Sequence, residues 1–231
     1  MRKIIIESQA ELEDAIEYFG ILPFFSNSVK GFSIEEMTSP GLLFGGNEYE
    51  GCWEWKGPIV RERNCAYGKF FKRKAGYVSR TLLPHFLNLR RERNKITPDS
   101  TEEMLYDIIS INDSITSTEL RSYLSETGDD FPFPGRRTGA GSRPKRHALE
   151  GPLQRLQMAG RICISDFRYK ITKKGERYGW GVAEYSTPEF LFPQNELQTD
   201  VSAEESLEIL TAHVISCLGA KERGNILKLL L

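Results

Sequence analysis

The sequence has few of the residues that build metal centres and disulfide frameworks. Its four cysteines are scattered along the chain, at Cys52, Cys65, Cys163 and Cys217. Its three histidines are equally isolated, at His85, His147 and His213. Zinc sites and disulfide frameworks need these residues at close, recurring spacings, and no HExxH pattern occurs. We therefore expect no metal, no cofactor and no disulfide framework.

Long apolar runs and nucleotide-binding loops are also lacking. No apolar run approaches the ~20 residues that a membrane-spanning helix needs. The first residues reach Glu7 before the core of a signal peptide could form. Neither GxxxxGK[ST] nor a strand-flanked GxGxxG occurs, although residues 135–146 contain glycines. We expect a cytoplasmic protein that has no membrane partner and does not bind a nucleotide.

The feature that stands out instead is a segregation of charge. The chain has 31 Lys and Arg and 32 Asp and Glu residues, and residues 51–180 hold 25 of the basic and 15 of the acidic ones. A basic middle between acidic ends predicts a surface for a polyanion on one part of the molecule. The alternative is that opposite charges pair within the molecule, whose net charge is −1.

Helix and strand signals in residues 100–185 follow the order of a winged helix. Ser100 and Thr116 each begin a capping box, and apolar residues at helical spacing follow each of them. A third helix is predicted over residues 143–160, where Gly160 is placed to end it. This third helix is the candidate recognition helix, on which Gln154 and Arg155 could meet base edges.

Two predicted strands complete the unit. They lie at residues 162–171 and 178–185, and a basic turn at residues 173–176 separates them, so they are predicted to form a wing. Lys173, Lys174 and Arg177 would carry this wing to the DNA backbone. The alternative is a merely solvated turn.

The loop before the third helix is strongly basic. Residues 135–146 contain no acid and five cations that could contact phosphates, namely Arg136, Arg137, Arg143, Lys145 and Arg146. Such contacts account for most of the sequence-independent affinity of a protein for DNA. We therefore predict that this loop binds the phosphate backbone.

Residues 51–93 interleave aromatic rings with cations. Bases stack on rings while cations hold phosphates, so the pattern is typical of nucleic-acid surfaces, and the candidates for stacking are Trp53, Trp55 and Tyr77. The alternative is a β-hairpin around residues 73–76 whose rings face the core. Glu54 alternates with the two tryptophans and is expected to face outwards from a strand.

The chain is expected to have three parts and an α+β fold. Capping boxes at Ser8 and Ser202 mark helices near both ends. We predict an N-terminal α+β region at residues 1–97, a winged-helix domain at 98–190 and a C-terminal helical segment at 191–231 that packs on the core, with a dimer face as the alternative. The predicted fold is a winged helix-turn-helix unit with an N-terminal α/β extension that contains an aromatic β-hairpin.

One stretch of the chain resembles a known family. Together with the aromatic stretch of residues 51–93, this part of the chain resembles the winged-helix part of the AlkZ/YcaQ-type bacterial DNA glycosylases and of the smaller AlkZ-related proteins. The matching motifs are residues 142–150 (SRPKRHALE), Leu153, Leu156, Gly160-Arg161 and the YGWG of residues 178–181. The resemblance implies a winged helix, affinity for DNA and a role in bacterial DNA repair. Members of the glycosylase family use a Gln-apolar-Gln or Gln-apolar-Asp motif near the N-terminus, which this chain lacks. No catalytic residue can be assigned from it.

The leading prediction is a winged-helix protein that binds duplex DNA through its basic loop, recognition helix and wing. One rival is a divergent DNA glycosylase-like enzyme that processes lesions. Another is a protein-interaction module, because winged helices also bind proteins through the same surfaces. Release of bases is not expected, since the polar constellation that a flipped-base pocket needs is missing. The oligomeric state is left open, with a monomer favoured.

Overall fold

The computed structural model describes residues 4–45, 51–126 and 147–231. The elements of the first half are α1 (Gln9–Phe19), β1 (Ile21–Pro23), α2 (Ile34–Met37), α3 (Pro40–Leu43), α4 (Cys52–Arg61), β2 (Cys65–Phe71), β3 (Lys74–Ser79) and α5 (Leu83–Arg93). Those of the second half are α6 (Thr101–Ile111), β4 (Ser114–Thr116), α7 (Ser117–Glu126), α8 (His147–Met158), β5 (Cys163–Ile171), β6 (Arg177–Ser186), α9 (Pro188–Leu191), α10 (Ala203–Leu218) and α11 (Arg223–Leu230).

The described strands form two small antiparallel sheets. The first sheet has the strand order β1-β3-β2, and the second has the order β4-β6-β5. Helices precede and follow both sheets along the chain. The fold is therefore a mixture of helices and antiparallel strands, which confirms this part of the predicted α+β class.

Helices begin where the sequence contains capping boxes. The Ser100 hydroxyl accepts a hydrogen bond from the Glu103 amide at 3.2 Å, at the start of α6. At the start of α10, Ser202 and Glu205 bond to each other's amides at 2.8 and 3.1 Å. These bonds satisfy amides that have no partner inside the helix, and such a cap stabilises a helix by about 1 kcal/mol. The predicted boundaries of both helices follow from them.

The hairpin of β2 and β3 occurs, but its turn is shorter than predicted. Phe71 pairs with Lys74, so only Lys72 and Arg73 lie between the strands. Both of these residues have positive φ angles, 50° and 66°, as a two-residue type I′ turn requires. The prediction placed the turn at residues 73–76 because neither Lys nor Arg signals such a turn, for which Asn and Gly are the preferred residues.

The segment around Trp53 is a helix, and the prediction of an outward-facing Glu54 on a strand was wrong. The buried residues of α4 are spaced as on one side of a helix, at Cys52, Lys56 and Ile59. The alternation of Trp53, Glu54 and Trp55 covers only three residues, whereas the helical spacing extends over the whole segment. The longer pattern decides the structure because it determines which side can be buried.

The hydrophobic core has two parts among the described residues. The larger part is built from α1 to α5 and β1 to β3, with Leu210 and Leu229 of the C-terminal helices packed into it. The smaller part is built mainly from α6, α7 and α8, with Ile162 before β5. The start of β5 belongs to the larger part through Cys163 and Phe167, so β5 and β6 join the two cores. In the described ranges, no helix combines the length and apolar character that a bilayer crossing requires.

Candidate nucleic-acid interface

The candidate interface is the hairpin of β5 and β6. Its last paired residues are Lys170 with Tyr178 and Ile171 with Arg177. The turn is closed by the Thr172 amide, which donates to the Glu176 carbonyl at 2.8 Å, and by Gly175, whose positive φ of 85° suits a tight turn. All of residues 173–180 are exposed. We call residues 170–180 the hairpin tip.

Charges are paired at the base of the hairpin. Arg168 of β5 bonds to Glu184 of β6 at 2.5 Å and to Glu119 of α7 at 2.8 Å. Hydrogen bonds from the Thr116 amide and hydroxyl hold the pKa of the Glu119 carboxyl below its usual value, and the Arg168 guanidinium lowers it further. The base of the hairpin is thereby fixed to the helical part, and its charges are already neutralised.

The lysines of the tip differ from Arg168 in this respect. Lys170, Lys173 and Lys174 are exposed, and none of them forms an ion pair with another residue in the described part of the chain. The Arg177 guanidinium lies 4.8 Å from the centre of the Tyr169 ring. The tip contains one acid, Glu176, so it carries a net positive charge. Exposed lysines without an ion pair can exchange small counterions for phosphates.

A bulge in the hairpin presents an exposed tryptophan. Between the pairs Arg168–Val182 and Lys170–Tyr178, β6 has two more residues than β5. Trp180 lies in this bulge, and 71% of its surface is exposed. Its neighbour Gly179 has a positive φ of 73°, which suits the local change of direction.

The hairpin is held against helix α4. The Tyr169 hydroxyl donates a hydrogen bond of 2.8 Å to Glu54 Oε2. The Trp180 and Trp53 rings meet edge to face, with centroids 5.9 Å apart and planes at 86°. The Gly181 backbone lies so close to Tyr169 that a Cβ at position 181 would be 2.8 Å from the tyrosine ring. The aromatic stretch and the hairpin therefore form one surface, although more than 100 residues separate them in sequence.

Behind this surface, a lysine is buried among rings. Lys56 is only 2% exposed, and its Nζ lies 3.5 Å from the centroid of the Trp53 ring and 4.5 Å from that of Phe167. Burial lowers the pKa of Lys56 to about 7, and the negative charge of Glu54 opposes this shift. The cation–π contacts favour the charged form as well. Lys56 thus supports the ring of Trp53 from inside and is not a surface cation.

Helix α8, the predicted recognition helix, is bonded to strand β2 on one side and to helix α6 on another. Its Gln157 is buried, accepts a 2.9 Å hydrogen bond from the Lys69 amide of β2, and donates to the Leu153 carbonyl. Its Arg155 is exposed but forms an ion pair with Glu102 of α6. Gln154 is half-buried. Little of the described surface of α8 is therefore available for reading base edges.

The remaining predicted site residues fall into three groups. Tyr77 is fully buried and packs on Tyr67, with ring centroids 4.7 Å apart, so it belongs to the core. Trp53 and Trp55 are half-buried in α4. The cations of the basic loop lie outside the described residues, and they are Arg136, Arg137, Arg143, Lys145 and Arg146.

Sequence reasoning missed two residues of this surface, Trp180 and Tyr169. Both were assigned to strands, but neither was considered as a contact. The available signal was the YGWG of residues 178–181, since a tryptophan between two glycines in a strand indicates an irregular position.

The described part of the chain also contains an acidic cleft. It has a volume of about 730 Å³ and is lined by acids that include Glu13, Glu17 and Glu62. Its Arg80 is paired with Glu196. A cleft of this charge repels phosphate. No three of the described His, Cys, Asp and Glu side chains converge as metal ligands.

Comparisons with known proteins give one family and one solved structure. The model of a family described as AlkZ related matches residues 6–231. None of the curated proteins matches the chain. The DNA glycosylase AlkZ of Streptomyces sahachiroi is similar in structure, with a TM-score of 0.44 and 11% sequence identity. The match covers 91% of this chain and 52% of that one, so the chain spans about half the length of that glycosylase.

Proposed function

The chain belongs to the AlkZ-related family, and on that premise we propose that it binds duplex DNA, chiefly through the phosphate backbone. Residues 98–190 form a winged-helix unit in this proposal, between an N-terminal region at 1–97 and a C-terminal helical segment at 191–231. The hairpin tip is the wing. The basic loop of residues 135–146 provides further phosphate contacts. The protein acts in the cytoplasm without a cofactor.

The observation that carries the proposal is the charge at the hairpin tip. Ion pairs neutralise the arginines at the hairpin base and on α8, whereas Lys173 and Lys174 protrude without such partners among the described residues. A lysine on an exposed turn loses little by binding a phosphate, because it gives up no intramolecular partner. Each neutralised phosphate releases counterions, which favours binding at low salt.

The order of the elements supports the winged-helix part of the proposal. Helix α6 is followed by the short strand β4, then by α7, α8 and the hairpin of β5 and β6, and β4 joins the hairpin as a third strand. This is the order of helices and strands in a winged helix. The proposed unit has its own apolar cluster of α6, α7 and α8.

The state of α8 favours binding that is largely independent of sequence. Recognition of bases requires donors and acceptors free to reach the groove. Arg155 is engaged by Glu102, and Gln157 is engaged by β2. Among the other polar side chains of α8 that the structure describes, Gln154 is half-buried and Glu150, which is exposed, is an acid. Contacts with phosphates position a protein but carry no sequence information.

The proposal is tested by titrating a fluorescent duplex of random sequence at several salt concentrations. The variant carries Lys173→Ala and Lys174→Ala, and the matched control carries Lys221→Ala and Lys228→Ala, two exposed lysines near the C-terminus. Loss of two phosphate contacts reduces the slope of log affinity against log salt by about 1.8. The control keeps the wild-type slope.

An unchanged slope in the tip variant would exclude the hairpin tip as the phosphate-binding surface. The same samples, treated with alkali after incubation with damaged duplex, test the rival glycosylase function. Strand breaks that depend on the lesion and are lost in Glu54→Gln or Glu62→Gln would favour the enzyme. We expect none, because the carboxylate of Glu54 is bonded to Tyr169 and Glu62 lines the acidic cleft.

A further inference from the structure

Trp180 is a large aromatic residue that lies mostly in solvent. Its indole contacts Trp53 edge to face, and 71% of the residue remains in solvent. An edge-to-face contact covers at most one face of a ring, so the contact with Trp53 leaves at least one face of the Trp180 ring uncovered. Single exposed apolar residues are common on protein surfaces. Exposure alone therefore does not indicate a ligand.

The neighbours of Trp180 distinguish it from an ordinary exposed residue. Two other residues of the tip are also about half exposed, Tyr178 at 50% and Ile171 at 56%. Lys170 pairs with Tyr178 across the two strands, and the exposed Lys173 and Lys174 lie in the adjoining turn. The tip thus combines flat aromatic groups with cations, and this is complementary to a polyanion that carries π-faces at regular intervals.

The spacing suits a nucleic-acid strand. Strands rise about 3.4 Å per residue, so Trp180 lies at most about 20 Å from Lys174, six positions earlier in the chain. Successive phosphates of one strand are about 3.4 Å apart along the axis of a DNA duplex. In an extended DNA strand they are about 7 Å apart, which is roughly twice that spacing. A base on Trp180 and a phosphate at Lys173 or Lys174 would belong to the same short stretch of a strand.

The Trp180 ring is also held in place before any ligand arrives. Trp53 contacts it from one side, and Trp53 is itself fixed by Phe24 at 5.6 Å and by Lys56 beneath its ring. The hydrogen bond between Tyr169 and Glu54 holds β5 on α4. A ring that is ordered in advance loses less conformational entropy on binding.

We propose that Trp180 is a stacking site for one unpaired nucleobase, so that the protein prefers DNA with an unpaired base to a perfect duplex. The inference deepens the proposed function and rests on it. In a perfect duplex both faces of each base are already covered by its neighbours, so Trp180 gains nothing there. An unpaired base can leave the stack at a small cost and cover the open indole face.

The test compares three oligonucleotides: a perfect duplex, the same duplex with one extra unpaired base, and the single strand. Each is titrated with the wild type, Trp180→Ala, Trp180→Phe and the control Phe190→Ala, which removes an exposed ring from α9. We expect the wild type to bind the bulged duplex about tenfold more tightly than the perfect one. Trp180→Ala abolishes this ratio, while Trp180→Phe keeps part of it.

The possible failures are distinguishable. If the perfect duplex binds and responds to the lysine variant but the ratio is one, or survives in Trp180→Ala, the stacking site is refuted and the proposed function remains. If no duplex binds, both fail. Vesicles of anionic phospholipid provide a further arm: binding to them that Trp180→Ala abolishes, without any base preference, would identify a lipid surface instead and overturn the inference. Thermal unfolding of each variant verifies that it is folded.

Discussion

The hydroxyl of Tyr169 donates a 2.8 Å hydrogen bond to Oε2 of Glu54, and this bond joins β5 to α4 across 115 positions of the sequence. Together with the Trp53–Trp180 contact, it determines where the hairpin lies on the N-terminal part. Burial and the bond to Glu54 both raise the pKa of Tyr169, the former more strongly, so the hydroxyl remains a donor at any physiological pH. The orientation of the candidate interface therefore depends on a bond outside the hairpin itself.

Removing this bond is predicted to destabilise the protein. Tyr169→Phe should lower the free energy of unfolding in urea by about 1 kcal/mol, because Glu54 is half-exposed and water replaces part of the lost bond. In a double-mutant cycle with Glu54→Gln, the coupling energy should be of similar size. Tyr178→Phe, which alters an exposed tyrosine of the same hairpin, should change stability by less than about 0.5 kcal/mol. Independent effects of the two changes would mean that the bond contributes no stability.

Glu102→Gln is predicted to increase the affinity for duplex DNA. The carboxylate of Glu102 engages Arg155, which is otherwise exposed on α8, so its removal makes one more cation available. The slope of log affinity against log salt should steepen by about 0.9. Glu208→Gln is the matched control, because it releases Arg223 on α11, away from the proposed interface. Equal effects of the two changes would show that α8 has no special relation to the bound DNA.

Gln157 is predicted to be a structural residue, and its neighbour on the helix is not. Gln157→Ala leaves the amide of Lys69 without its buried acceptor and creates a cavity between α8 and β2, so stability should fall by about 2 kcal/mol or more. Gln154→Ala, on the outer side of α8, should alter it by less than about 0.5 kcal/mol. Urea unfolding measures both, and a smaller loss for Gln157→Ala than for Gln154→Ala would contradict the assignment.

Replacement of Lys56 is predicted to change the pH dependence of stability. The pKa of Lys56 is lowered to about 7 in the folded protein, whereas a lysine in an unfolded chain has a pKa near ~10.4. Between these values the unfolded state binds more protons, so the wild type gains stability as the pH rises from about 7 towards ~10, by at most about 1.4 kcal/mol per unit. Below pH 7 the full cost of burying the charge applies.

Lys56→Met removes this dependence. Its advantage in stability over the wild type should therefore be largest near neutral pH and shrink as the pH rises. Cation–π attraction to Trp53 reduces this advantage only where Lys56 is charged, at and below about pH 7. Lys228→Met, at an exposed position on α11, serves as the control and should leave the profile unchanged. A difference between Lys56→Met and wild type that stays constant from pH 7 to 10 would argue against a lowered pKa.

Features that depend on neighbours along the chain could be predicted from residue spacing. Ser100 and Ser202 cap helices through bonds to residues three positions later, so their role can be recognised from spacing alone. The second hairpin was equally recognisable, because a basic turn containing Gly175 separates two runs of strand-forming residues. Membership of the family was likewise indicated by short motifs of the second half of the chain.

Which of these residues form a surface could not be predicted in this way, because it depends on how distant segments pack together. The helix at Trp53, the positive φ angles of Lys72 and Arg73, and the burial of Tyr77 each result from packing that overrides the local pattern. The pairing of Arg155 with Glu102, and of Tyr169 with Glu54, joins residues that are far apart in sequence. A local pattern states which side chains prefer to be buried or charged, but the partner that each one meets depends on how the helices and sheets pack against one another.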